Sequence, residues 1–190
     1  MPVRLMALAA LMLIQEGIHG KGINPVVGLY LAYGERFYMC DNGSLPWKWH
    51  VRATHFNPYK PKELQRITGN VTAHTAPLDD NCWGKVVVDA RSNNQWKENA
   101  YVFNFKRNGC RVLKENAPGF YAALFKNSEL KGPCVIKQGV YEFNDVPVEW
   151  SFPNVPILPY GHYRFRVMVG RAENQYACWV ADARTIPKPE

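Results

Sequence analysis

The stretch from Cys134 to Cys178 constrains this chain most. It begins Cys134-Val-Ile-Lys-Gln-Gly-Val-Tyr141 and continues through an apolar segment spaced by Pro147, Pro153, Pro156 and Pro159. The chain then turns at Gly161 into the alternating run Tyr163-Arg-Phe-Arg-Val-Met-Val169, and the next strand candidate, Tyr176-Ala-Cys-Trp-Val180, carries the closing cysteine. Alternation of apolar and polar residues is the signature of a strand with one face buried. Prolines cannot donate to a sheet ladder, so the spaced segment is held out of any central strand. The order predicts a β-sandwich with an apolar loop at one end.

The same alternation recurs at Arg36–Cys40, Trp47–Arg52, Asn70–Thr75, Lys85–Ala90, Tyr101–Lys106 and Tyr141–Val146. With 163–169 and 176–182 this gives an all-β chain of about eight antiparallel strands. Turn signals at Asn42-Gly43, Asn57-Pro58, Gly69-Asn70, Ser92–Gln95, Asn108-Gly109 and Gly132-Pro133 separate them at sandwich-like intervals. The one short helix, or helical loop, is expected around Gly119–Lys126, within a wider candidate stretch of 117–130.

Residues 1–20 read as a secretory signal: Arg4, a short apolar core from Leu5 to Ile14, then small and polar residues to Gly20. The core is shorter than the roughly 20 residues a spanning helix needs. Residues 21–190 then form a single domain, secreted and extracellular. The sequons at Asn42 and Asn70 agree with export as glycosylation sites. A net charge of +7 in such a protein favours anionic lipid headgroups or sialylated glycans over nucleic acid, although a solvated basic surface would carry the same charge.

Five cysteines leave at least one unpaired or intermolecular. The sequence does not fix the pairing. A Cys40–Cys178 bridge would tie the first strand candidate to the last, and Cys110 and Cys134 flank the helical stretch and could staple its base. Cys82 is left over and reads as a free thiol. No cysteine pair has metal-ligand spacing, and neither do His50, His55, His74 and His162, so no metal or other cofactor is expected.

These residues together make the chain resemble the ganglioside activator proteins of the ML lipid-recognition superfamily. The resemblance spans most of residues 36–183. It is carried by Gly69-Asn-Val-Thr72 ahead of a valine-rich strand, and by Cys134–Tyr141, the Pro-spaced loop, Gly161-His-Tyr-Arg164 and the strand bearing Cys178. Trp150-Ser-Phe-Pro153 and Pro159-Tyr-Gly-His-Tyr-Arg164 are also similar to an insect branch, some of whose members are linked to chemosensation. The resemblance implies an immunoglobulin-like β-sandwich splayed into a lipid-holding β-cup, with bridges Cys40–Cys178 and Cys110–Cys134. The chain departs from the ganglioside activators in having fewer cysteines and no dense disulfide clamp between Cys110 and Cys134.

Such a protein holds a lipid or other long-chain hydrophobic ligand without chemistry. It touches a membrane transiently and hands the ligand to a receptor or enzyme. The expected lining is Val86, Val88, Tyr101, Phe103, Phe105, Tyr141, Phe143, Phe165 and Val167; the same side chains would equally suit a fully packed core. The expected rim is Phe152, Val155, Ile157, Leu158 and Tyr160, faced by a lip of Phe120, Tyr121, Leu124 and Phe125. A loop folded down to plug its own core is the alternative there. Arg164 and Arg166 alternate outward, either to meet a phosphate or sialic acid or simply to solvate the sheet. A different class of function, a protein-interaction sandwich with a packed interior, uses the same apolar loop to dock on a receptor. Enzymatic readings are weak. Adjacent Asp79 and Asp80 point to opposite faces of a strand, Ser151 lacks the flanking glycines of a nucleophile elbow, and Cys82 has no assignable activating base.

Overall fold

The computed structural model describes residues 26–40, 45–125 and 132–189. The expected signal segment 1–20 and the sequon at Asn42 lie outside the described residues. In chain order the strands are β1 (Val27–Gly28), β2 (Tyr30–Met39), β3 (Trp47–Ala53), β4 (Gln65–Ala73), β5 (Leu78–Asp79), β6 (Trp83–Ser92) and β7 (Gln95–Phe105). Two helices follow, α1 (Gly109–Asn116) and α2 (Pro118–Phe125). The chain closes with β8 (Val135–Ile136), β9 (Gly139–Val148), β10 (Leu158–Pro159), β11 (Gly161–Arg171) and β12 (Asn174–Pro187).

All pairings are antiparallel. The larger sheet runs β2-β12-β11-β6-β7, the facing sheet β3-β4-β9, and β1-β10 and β5-β8 are two-stranded ribbons. This is an all-β sandwich, as the alternation requires. Eight of the twelve strands coincide with the alternating runs in the sequence; the other four are the two-residue ribbon strands.

Two local expectations are corrected. Gly69-Asn70 is not a turn but the interior of β4, where the register against β9 shifts between Ile67 and Gly69. Gly69 takes φ +144°, and a Cβ there would sit 1.7 Å from the His50 carbonyl oxygen, so glycine marks a bulge pressed onto β3. Asn108-Gly109 opens a helix rather than a hairpin: Asn108 adopts the left-handed conformation (φ 63°) at the cap of α1. The second helix falls at Pro118–Phe125, close to the expected segment. Gly119 lets it approach the end of β9, since a Cβ would meet the Glu149 carbonyl oxygen at 2.0 Å.

The disulfides join Cys40 to Cys178 and Cys110 to Cys134, with Cα separations of 5.4 and 5.7 Å. Cys82 is the free cysteine and is fully buried. No helix among the described residues is long and apolar enough to cross a membrane.

The core is aromatic. Trp49 stacks on Trp179 (5.2 Å between centroids, 16°) and meets Phe37 and Phe120 edge-on at 5.8 and 6.2 Å. Trp150 stacks on both Phe37 and Phe120 at 5.5 and 5.9 Å, and Trp47 lies 6.1 Å from Trp179. Offset and edge contacts of this kind add about 0.5–1.5 kcal/mol per pair beyond burial. Gln65, only 5% exposed, spans the sheets. Its amide oxygen accepts from Gly34 N (2.8 Å) and Trp150 Nε1 (2.8 Å), while its amide nitrogen donates to the carbonyls of Gly34 (2.9 Å) and Thr54 (2.6 Å). Each of these bonds would leave a buried group orphaned if broken.

Candidate functional site: an apolar end and an uncovered sheet face

Residues directly opposite one another on antiparallel strands share a face. In the five-stranded sheet one such row reads Tyr101–Val88–Phe165–Ala181–Phe37 and the next Phe103–Val86–Val167–Trp179–Met39. Phe37 and Trp179 pack against the facing sheet, so both rows lie on the inner face. The expected lining residues Val86, Val88, Tyr101, Phe103, Phe165 and Val167 therefore share one surface. Phe105 joins it opposite Gly84.

That surface is divided. Over β2 and β12 it meets the rings of Trp49, Phe120 and Trp150, so the layers are in contact there. Large side chains from both sheets and from α2 occupy the space between the layers in this half. Phe120, Tyr121, Leu124 and Phe125 are at most 9% exposed. They belong to the core and form no exposed lip, since α2 turns inward against β9. Phe143 is buried with them, and half-buried Tyr141 meets Phe125 edge-on at 5.1 Å. Over β7 the same face opens: Tyr101 and Phe103 are 39% and 41% exposed, while Val88 beside Tyr101 on β6 stays buried.

The Pro-spaced loop lies between these conditions. Phe152 folds down and stacks on Phe165 (6.3 Å, 12°), which plugs the inner face at that point. The rest is pinned to the N-terminal segment: β10 pairs with β1, Tyr160 N donates to the Val26 carbonyl, Tyr160 Oη to that of Leu29, and Tyr30 Oη to that of Val155 (2.6 Å). Buried Tyr163 donates its hydroxyl to the Pro159 carbonyl (2.7 Å), and loss of solvent pushes its pKa up to about 12. Leu158 and Tyr160 are half-buried by these contacts, whereas Ile157 is 59% exposed.

Between this loop and the start of β2 runs a groove of about 450 Å³. Its walls are Leu29–Tyr33, Phe56, residues 61–65, the 148–156 segment and Lys188. Phe56 stacks flat on Tyr33 at 4.1 Å. Exposed Leu29 and Leu64 are among its walls, and the β1–β10 ribbon next to Leu29 carries exposed Val27, with exposed Val26 and Ile157 adjoining its strands in sequence. Sequence reasoning found Phe152 and Val155 of this groove but missed Leu29, Tyr30, Phe56 and Leu64. The apolar run Val26–Tyr33 was the available signal.

On the outer face, Arg164 and Arg166 point away from the core as expected, but neither is an open anion receptor. Arg164 Nε contacts Asp182 at 2.8 Å and its guanidinium lies 4.4 Å from the Trp96 ring centre. Arg166 contacts Asp89 at 3.1 Å. Two arginines are consumed by two carboxylates and an indole. Asp80 is likewise paired, with Arg111 at 2.8 Å, and Asp79 accepts from Asn81 N at 2.8 Å. His162 lies 3.5 Å from Glu35; burial, and then Arg184, holds its pKa below the ordinary imidazole value. Among the described residues no group of three or more His, Cys, Asp or Glu side chains is placed to hold a metal. The second sequon, Asn70, stands on β4 between His50 and Glu142, half-exposed on the outer face of the three-stranded sheet.

Compared with protein-family models and with curated proteins, the sequence matches none.

Proposed function

We propose that this chain is a secreted, non-enzymatic carrier of a long-chain hydrophobic ligand, such as a glycolipid, a fatty-acyl chain or a hydrocarbon. One observation carries the reading: the apolar groove at the end of the sandwich includes exposed Leu29 and Leu64 in its walls, next to the β1–β10 ribbon. About 450 Å³ lies within the roughly 300–1,000 Å³ typical of small-molecule sites. Each methylene moved from water into such a groove contributes about 0.8 kcal/mol, so a single acyl chain suffices for binding. Val26, Val27, Leu29 and Ile157 would rest on a membrane while the chain slides between Tyr30, Phe56 and Trp150. Two disulfides suit an oxidising extracellular setting. Presentation of the ligand to a receptor or enzyme, including a chemosensory one, is the use the resemblance suggests.

Native purification, organic-solvent extraction and mass spectrometry should recover a co-purifying lipid, and a fluorescent fatty-acyl probe should be taken up. Ile157→Asp should slow transfer of the probe from vesicles while leaving the melting temperature unchanged. An empty extract together with no probe uptake would end the carrier reading.

The aromatic packing between the sheets favours a second reading, a receptor-docking sandwich. It predicts no uptake and a stable protein complex lost on Leu158→Asp.

A further inference from the structure

A sheet edge presents unpaired backbone groups, and natural proteins guard such edges with charge, proline, bulges or cover. This sandwich has four principal edges, and three are guarded. β3 alternates Lys48, His50 and Arg52 along its length. β9 is broken by Asp145 at φ 54° and by Pro147, and α2 packs against it. β2 carries Glu35 and Arg36 at a register shift, and the Gln65 side chain is bonded to Gly34 on both its N–H and its carbonyl.

β7 is the exception. Among the described residues it pairs on one side only, with β6. After the left-handed bend at Asn99 its last six residues, Ala100-Tyr-Val-Phe-Asn-Phe105, contain no charge, proline or glycine. They are apolar on both faces: Tyr101 and Phe103 inward and Val102 outward, exposed at 39%, 41% and 45%. A ligand on the inner face would cover the first two but not Val102.

We infer that β7 is a homodimer edge: a second copy of this chain pairs antiparallel along Ala100–Phe105, joining the two five-stranded sheets into one of ten strands. The segment is self-complementary. A two-fold axis at Val102 sets Val102 opposite itself and Tyr101 opposite Phe103 of the other copy, an aromatic cross-strand pair that occurs twice. Charge agrees with this direction. About this axis acidic Glu98 comes opposite basic Lys106 of the other copy, so antiparallel pairing brings these two opposite signs together. Lys97 and Arg107, the next pair outward, are of like sign, so the Glu98–Lys106 pair alone carries the charge argument.

Light scattering and sedimentation of the full secreted chain across the micromolar range test this. The wild type should be a dimer. V102R sets like charges on the axis and should give a monomer. K106E should weaken the dimer about tenfold, and E98K with K106E should restore it, since each charge pair occurs twice. A wild type that stays monomeric overturns the proposal, as does V102R that dimerises as tightly. Failure of the double swap to restore the dimer overturns the antiparallel arrangement. Should V102R melt lower than the wild type, the swap on exposed Glu98 and Lys106 decides alone.

Discussion

The two halves of the five-stranded sheet share one inner face and one alternating pattern, yet they end differently. Over β2 and β12, Phe37 and Trp179 meet Trp49 from the facing sheet, with Phe120 and Trp150 closing the space. Over β6 and β7, Tyr101 and Phe103 stand against nothing comparable and remain about two-fifths exposed. The facing sheet has three strands against five, so it cannot cover both halves. A sandwich of unequal layers leaves apolar surface for a ligand or a partner while the matched half supplies the stability.

The largest effect that should separate the halves is loss of the bridge at the end of the closed one. Removing Cys40–Cys178 by paired serine substitution should cost roughly 5 kcal/mol by chain entropy, because it closes a separation of 138 residues. Removing Cys110–Cys134, with a separation of 24, should cost roughly 3 kcal/mol. Urea unfolding of both variants checks the order. Trp49→Ala should follow at about 3–5 kcal/mol, since three ring partners lose contact at once. Phe103→Ala should cost no more than about 1 kcal/mol, because much of its ring already meets water. Equal losses at the two positions would mean the open half is covered after all.

The smallest effect lies at the boundary. Burial pushes Tyr163 up to about 12 in the fold, against 10.0 for an ordinary tyrosine, by disfavouring the phenolate, with Tyr101 adding to the shift. Its contribution is intact below pH 10. Between 10 and about 12 the unfolded chain ionises first, so stability should fall as pH rises. Melting temperatures from neutral pH upward should fall less steeply in Tyr163→Phe than in the wild type, the remaining slope coming from Tyr30, Tyr33, Tyr38, Tyr141 and Tyr176, which burial also raises.

The eight long strands were readable because period-two alternation reports a half-buried sheet directly, and the inner-face set from Val86 to Val167 follows from the same parity. Local punctuation was less faithful. Gly69-Asn70 and Asn108-Gly109 are both turn dipeptides by composition, but left-handed and extended-positive backbone also serves bulges and helix caps. α1 was hidden behind the second of these. Gln65 lay in Pro-Lys-Glu-Leu-Gln, a string that reads as surface loop; its four bonds reach residues 11 to 85 positions away, and no local pattern encodes them. The groove was half legible for the same reason. Its Pro-spaced wall is contiguous in sequence, whereas the rest is assembled from four separate pieces, Leu29–Tyr33, Phe56, residues 61–65 and Lys188.

Cys82 has one further consequence. An odd thiol in a molecule with two disulfides invites scrambling, which proceeds by thiolate attack on a bridge. Here the sulfur is sealed from solvent, within reach of the Pro77 carbonyl at 3.6 Å, and burial pushes its pKa up, so the attacking thiolate is both scarce and enclosed. In an oxidising setting the odd cysteine thus behaves as a small greasy filler, and the native bridges can persist for as long as the fold stays shut.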